Sequence, residues 1–297
     1  MTNQRIPLRF RYAADRDTPA VMELWAKDFE SYEPYYSWYF SCIYRPERTL
    51  LALTGDGRLA ASLQIAPYTL SLPQGPQPAA YLVGVITEPS LRGRGAAMQL
   101  LQYSLEQLRE QGYTAALLYT DIPRFYQPLG FRHAYALQRV SLPASLQETA
   151  AGWQKAAVNP ETIGQCDAIY RRMTAPWQGY ILRNAENWRT LLGELQCDQG
   201  SVWILPQQAY VWLYPENGGL IVREIGYTDS ISLQSALALC GRLVYEGGFR
   251  HGRWLAPLTA PLPPGVQGQT VPFVMAKSLT GDPYLPPSAA NWINEYT

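Results

Sequence analysis

The chain has 297 residues, of which 47% are hydrophobic, and its 24 acidic and 24 basic side chains leave a net charge of zero. That length suits one large domain or two of ordinary size, and the balanced charge argues against a nucleic-acid-binding surface that dominates the molecule. No apolar run approaches the roughly 20 residues of a membrane span, and the N-terminus lacks the apolar core of a secretory signal.

Residues 8–12 alternate like a first strand. Thr18-Pro19 opens a helix that sets Val21, Leu24, Trp25 and Phe29 on one face. Residues 28–40 then interleave three carboxylates, Asp28, Glu30 and Glu33, with seven aromatic side chains. Such a segment suits a cation with ring character, and equally suits a helix whose aromatic face is core and whose acids are solvated. Residues 50–54 and 58–65 flank the hairpin turn Gly55-Asp56-Gly57. The Pro- and Gln-rich stretch 72–78 is predicted to be an exposed connection leading to an apolar strand over 81–86.

That strand runs into Thr87-Glu88-Pro89-Ser90-Leu91-Arg92-Gly93-Arg94-Gly95-Ala96-Ala97, which opens a helix. Glycines let backbone approach a ligand, the first helical N–H groups lack internal partners, and the helix dipole favours an anion. Arg92 and Arg94 add positive charge. The P-loop ending Gly-Lys-Ser/Thr is absent, and the third glycine of the dinucleotide fingerprint is replaced by Met98. The helix places Ala97, Leu100, Leu101, Leu105 and Leu108 on one face and stops at Gly112. A strand over 115–120 follows, then Arg124-Phe125-Tyr126-Gln127-Pro128-Leu129-Gly130-Phe131.

Arg92, Gly95 and Ala97 spell Arg-x-x-Gly-x-Ala, which resembles the acetyl-CoA pyrophosphate loop of the GNAT superfamily of N-acetyltransferases. Phe125-Tyr126-x-x-Leu129-Gly130-Phe131 resembles the segment that closes the acetyl-CoA site in that family. The resemblance covers residues 6–140 and implies a mixed α/β fold with acetyl-CoA as co-substrate and no metal. It implies that Val85, Ile86 and Thr87 pair with the pantetheine arm. The amides of Gly93, Arg94, Gly95, Ala96, Ala97 and Met98 would cradle the pyrophosphate, with Asp121 and Ile122 completing the cofactor side. The amide near Val85 would donate to the thioester carbonyl.

Tyr126 is the expected general acid, because a phenol of pKa ~10 stays protonated at neutral pH; packing against the cofactor is the plainer alternative. The general base is open. Ala79-Ala80-Tyr81 stands where a glutamate often sits, Glu88 precedes Pro89 and is expected to face solvent, and Asp121 could contact the acceptor or cap a turn. The terminal carboxylate of Thr297 and a water relay are further alternatives. Asp28, Glu30, Glu33 and Tyr36 are the expected acceptor-binding residues, for a primary amine on a small molecule, polycationic acceptors included. A protein lysine, a longer acyl-CoA, and a non-catalytic CoA-binding scaffold are the competing readings.

The second half echoes the first: strands over 201–205, 209–214 and 220–227, turns at Gln207-Gln208 and Asn217-Gly218-Gly219, then a helix carrying Leu233, Ala236, Leu237, Cys240, Leu243 and Val244. Where the loop would be stands Thr228-Asp229-Ser230-Ile231-Ser232, without arginine or paired glycines, so this copy is expected not to bind CoA. Two tandem domains are expected, a catalytic one over 1–147 and a degenerate one over 148–297. This arrangement resembles the Eis (enhanced intracellular survival) type of acetyltransferase, whose third, sterol-carrier-like domain 297 residues would not accommodate. In mycothiol synthases, also tandem, the resemblance would put the competent loop in the other half. His133 and His251 lack a nucleophile in a motif context, and the scattered Cys42, Cys166, Cys197 and Cys240 read as reduced thiols of a cytoplasmic protein. The aromatic residues of the second half would pack its sheet, a domain interface or a homo-oligomer contact.

Overall fold

A computed structural model describes residues 6–29, 32–145, 152–262, 266–281 and 293. The first sheet grows from β1 (Leu8–Tyr12), β2 (Thr49–Thr54), β3 (Leu59–Leu72) and β4 (Gly75–Thr87), each antiparallel to the next, and β5 (Ala115–Tyr119) joins β4 in parallel. One face is covered by α1 (Thr18–Ala26) and by α2 (Tyr35–Trp38), which runs on into a π-helical turn at Tyr39–Ile43. The other face is covered by α3 (Ala96–Glu110), whose Leu100, Leu101, Leu105 and Leu108 are buried as the helical spacing predicts.

Stretch 72–78 is not the expected exposed connection. β3 and β4 pair all the way to Leu72 and Gly75, turning at Pro73-Gln74. Pro76 and Pro78 are tolerated because β5 pairs with β4 only over Ala79–Tyr81, which leaves the outer edge of that hairpin arm without a neighbour to receive N–H donors.

After α4 (Pro123–Tyr126) and β6 (Arg132–His133), β7 (Ala136–Leu142) crosses to a second sheet. Its other members are β8 (Gln154–Ala156), β10 (Ser201–Leu205), β11 (Ala209–Glu216), β12 (Gly219–Tyr227), β13 (Gly252–Pro257) and β14 (Gly268–Pro272). Between β8 and β10 come α5 (Pro160–Thr174), β9 (Tyr180–Ile181), which pairs with β3, and α6 (Ala185–Cys197); α7 (Ser230–Glu246) follows β12. Finally β15 (Val274–Ser278) returns to the first sheet.

The strand orders are β1-β2-β3-β4-β5-β15-β6 and β14-β7-β13-β12-β11-β10-β8. Read from β8, the second matches the first place for place, including a parallel pair, β12–β13, where the first has β4–β5. In each sheet the strand beside that pair comes from the other half of the sequence. The expected boundary at 147/148 falls among residues 146–151, outside the described ones; β7 and β15 each pair on the far side of it. One core lies under α3, another under α7, and the largest joins the two sheets through α1, α5 and α6 around Tyr39, Trp188 and Trp212.

Candidate active site

Opposite the single residue Leu63 of β3, strand β4 holds two, Gly84 and Val85. This is a β-bulge, and Gly84 takes the left-handed backbone (φ +59°) that it needs. The extra residue reverses the side-chain alternation. Tyr81 and Val83 face the core under α1, yet Val85 packs with Ala80 and Leu82 on the α3 face, and Ile86 is buried again under α1. The edge of the Trp25 ring, at Cζ3, occupies the space a side chain at Gly84 would fill. Beyond Tyr81, β4 has no partner on the β5 side, so the two strands diverge where Val85, Ile86 and Thr87 stand.

A 3₁₀ turn at Pro89–Leu91 then leads to Gly93 and Gly95, both left-handed (φ +75° and +78°), the second being the N-cap of α3. No backbone acceptor among the described residues meets the amides of Ala96, Ala97 and Met98; the first helical bond runs from Gln99 N to Gly95 O. A Cβ built on Gly93 meets nothing within 4 Å. These are the properties of an anion cradle, and the residues present fit a CoA pyrophosphate.

The two arginines differ. Arg92 is 2.7 Å from Asp28 and so ties the loop to the segment after α1, as Lys27 does through Glu88 at 3.0 Å. Arg94 is exposed, and its side chain makes no ion pair or hydrogen bond to a described residue. Glu88 is therefore engaged by Lys27 where solvent was expected. Asp121 is exposed and accepts from the Tyr119 hydroxyl at 3.2 Å, and Ile122, also exposed, caps α4.

Burial of Tyr126 (7% exposed) pushes its phenol up to about 12. Its ring meets Phe125 and Phe131 edge-on, in the same cluster as Leu82, Leu118 and Val85, and its hydroxyl has no hydrogen-bond partner among the described residues. A raised pKa keeps the proton on at neutral pH.

The expected acceptor residues are not gathered around one space. Asp28 is held by Arg92, Glu33 caps the next turn by accepting from Ser37 Oγ at 2.7 Å, and the Tyr36 hydroxyl donates to the Met22 carbonyl at 3.0 Å. Glu30 and Thr297 lie outside the described residues. A cavity of about 480 Å³ opens instead between the π-helical turn, β3, β4 and the start of α6. Its apolar wall includes Trp38, Tyr39, Ile65, Pro67, Tyr68 and Val83, and its charged groups are Arg45, Arg48, Arg189 and Glu186. The charge is thus opposite in sign to that of the acidic segment 28–33, whose described carboxylates are engaged elsewhere. Sequence reading misses this cavity because its parts are far apart along the chain. The one local sign was the pair of arginines in Arg45-Pro46-Glu47-Arg48.

In the second half, β12 carries a matching bulge at Arg223 against β11. There the Asp229 carboxylate caps α7, accepting from Ser232 N at 2.7 Å, so a side-chain anion fills the seat that the first half leaves open.

Residues 9–134 match the family described as acetyltransferase (GNAT) domain. No curated protein matches the sequence. Among solved structures, the chain is similar to a GCN5-related N-acetyltransferase from Anabaena variabilis, with a TM-score of 0.75 and 18% identity over 92% of this chain and 73% of that one. It is also similar to one from Kribbella flavida (TM-score 0.72, 19% identity, 91% of this chain and 70% of that one). Eis1 from Mycobacterium abscessus superposes with a TM-score of 0.68 at 18% identity, covering 92% and 74%. At such identities the likeness speaks for the fold. No described helix is long and apolar enough to cross a membrane. The bulged strand and the open glycine turn both fall within the family match, which gives the chain a GNAT acetyltransferase domain over residues 9–134.

Proposed function

We propose that the protein transfers an acetyl group from acetyl-CoA to the primary amine of a small molecule, in the manner of an Eis-like tandem enzyme. In this reading 1–147 is the catalytic unit and 148–297 a degenerate copy. The observation that carries it is the run of unpartnered amides at Ala96, Ala97 and Met98 behind the left-handed Gly93 and Gly95.

When bound, acetyl-CoA supplies the thioester carbonyl. The loop amides and Arg94 hold its pyrophosphate by charge-assisted hydrogen bonds, while Arg92 keeps the loop in place through Asp28. Val85, Ile86 and Thr87 offer the unpaired edge of β4 to the pantetheine arm as to an added strand. The bulge leaves Val85 without a register partner on β3, and its amide is the donor assigned in this reading to the charge developing on the carbonyl oxygen. A neutral amine forms the C–N bond as the C–S bond breaks. Tyr126 gives its proton to the departing sulfur, and the proton shed by nitrogen passes through solvent to the Tyr126 phenolate, which returns the enzyme to its starting state.

Tyr126→Phe is expected to lower kcat by about 100-fold, the span of a lost general acid, and to leave acetyl-CoA affinity within about twofold. Thiol release and calorimetric titration with acetyl-CoA check the two parts. Full turnover in the variant would leave Tyr126 a packing residue.

A further inference from the structure

The cavity beside Val83 has one chemical bias: its polar lining is mostly hydrogen-bond donors. Arg45 comes from the end of the π-helical turn, where its guanidinium is fixed by the carbonyls of Tyr44 and Cys42 at 2.8 and 2.9 Å. Arg48 comes from the turn before β2, and its Nη1 lies 3.5 Å from Glu186 Oε1 across the cavity mouth. The Arg189 side chain, from α6, makes no ion pair or hydrogen bond to a described residue. Three guanidinium groups therefore face one carboxylate, and that carboxylate is already shared with Arg48.

Beneath them sits Gln64, 6% exposed. Its Oε1 accepts from the Tyr39 hydroxyl at 2.8 Å, which fixes the amide with Nε2 as donor, and Nε2 has no partner among the described residues. A buried donor left unmade costs free energy, and a surplus of guanidinium charge over an apolar wall favours an occupant with acceptor oxygens. The N-terminal half of α6, with Asn187 and Thr190 on the lining, adds the positive end of a helix dipole.

We infer that the acceptor amine belongs to a molecule that also bears an oxyanion, a carboxylate or a phosphate, and an apolar or aromatic body. Arg48 and Arg189 bind the oxyanion, Arg45 lends fixed charge, and Trp38, Tyr39 and Tyr68 line the apolar body. An amino acid with a large apolar side chain has this chemistry; a polyamine does not. The inference rests on the acetyl-transfer reading, since it names the acceptor of that reaction.

The test is thiol release from acetyl-CoA with matched amines: an apolar amino acid, its methyl ester, its decarboxylated amine, an amine bearing a phosphate, and a linear polyamine. The expected result is a kcat/KM at least about tenfold higher for an oxyanion-bearing amine than for its neutral counterpart. The carboxylate and phosphate arms decide which oxyanion it is. Arg48→Gln and Arg189→Gln, each checked for folding by thermal melting, should bring the acid-to-ester ratio towards one by raising KM for the acid. Equal use of acid and ester, or preference for the polyamine, would overturn the inference and leave acetyl transfer standing. Variants that lower acid and ester alike would assign the arginines a structural role and also overturn it. Thiol release with none of the amines would remove the acetyl-transfer reading, and the inference with it.

Discussion

Gly84 shapes the strand end beside the glycine turn. Its left-handed φ makes the bulge, and its missing side chain admits the Trp25 ring. Gly84→Ala would have to hold an L-residue in that conformation, at about 1–2 kcal/mol, and push back a large buried ring, at about 1–3 kcal/mol. The expected outcome is a lowered denaturation midpoint together with a loss of turnover greater than the loss of folded protein, measured by guanidinium unfolding and thiol release. The glycine turn and Tyr126 were legible because each is a local pattern of a few residues. Gly84 was not, since Tyr81-Leu82-Val83-Gly84-Val85-Ile86 reads as an ordinary apolar strand and only the register against β3 reveals the extra residue. The loop arginines look alike in sequence, and only the fold separates Arg92, bound to Asp28, from the unengaged Arg94.

Strand β12 shows how an element can be recognised and its chemistry still be hidden. Its apolar run predicts a strand, and the adjacent Arg223 and Glu224 would ordinarily mark a wet face. Both are buried. Glu224 receives a bidentate pair from Arg183 at 2.7 and 2.8 Å and a further bond from the Tyr210 hydroxyl, while Arg223 reaches Glu194 of α6 at 2.7 Å. The Arg183 guanidinium also stacks 4.0 Å from the Tyr170 ring centre. Such pairs owe their fitness to completeness, because removing one partner strands a buried charge. Glu224→Gln should therefore destabilise the protein by about 3–5 kcal/mol, read from chemical denaturation. The double change Arg183→Met with Glu224→Leu is expected to cost less than the single one, because it leaves no charge behind. The partners arrive from α6 and from the residue after Leu182, so nothing near β12 in sequence announces them.

At the scale of the whole molecule, two sheets of matching strand order each borrow a strand from the far part of the chain. β7 fills a place in the second sheet and β15 fills the equivalent place in the first, between β5 and β6. Neither segment is marked as a strand in the sequence reading, and nothing in its local pattern says which sheet it joins. A fragment of residues 1–147 would leave β5 with an open edge and β7 without either neighbour, and it is expected to be insoluble or aggregated. Co-expression with residues 148–297 should restore a soluble complex that releases thiol; sedimentation and activity of the co-purified pieces check this. The basic cavity likewise draws Arg45 and Arg48 from one half and Arg189 from the other, which is why no single stretch displays it.

The place of β15 also sets a timetable for synthesis. The glycine turn and Tyr126 emerge early from the ribosome, yet the sheet behind them keeps a vacant slot until Val274–Ser278 has been translated. A nascent chain halted before that point would carry every residue assigned here to acetyl transfer and lack the support that aligns them. Its open slot would invite a strand from a neighbouring nascent chain, so ribosomes crowded on one message are where domain-swapped products should first arise.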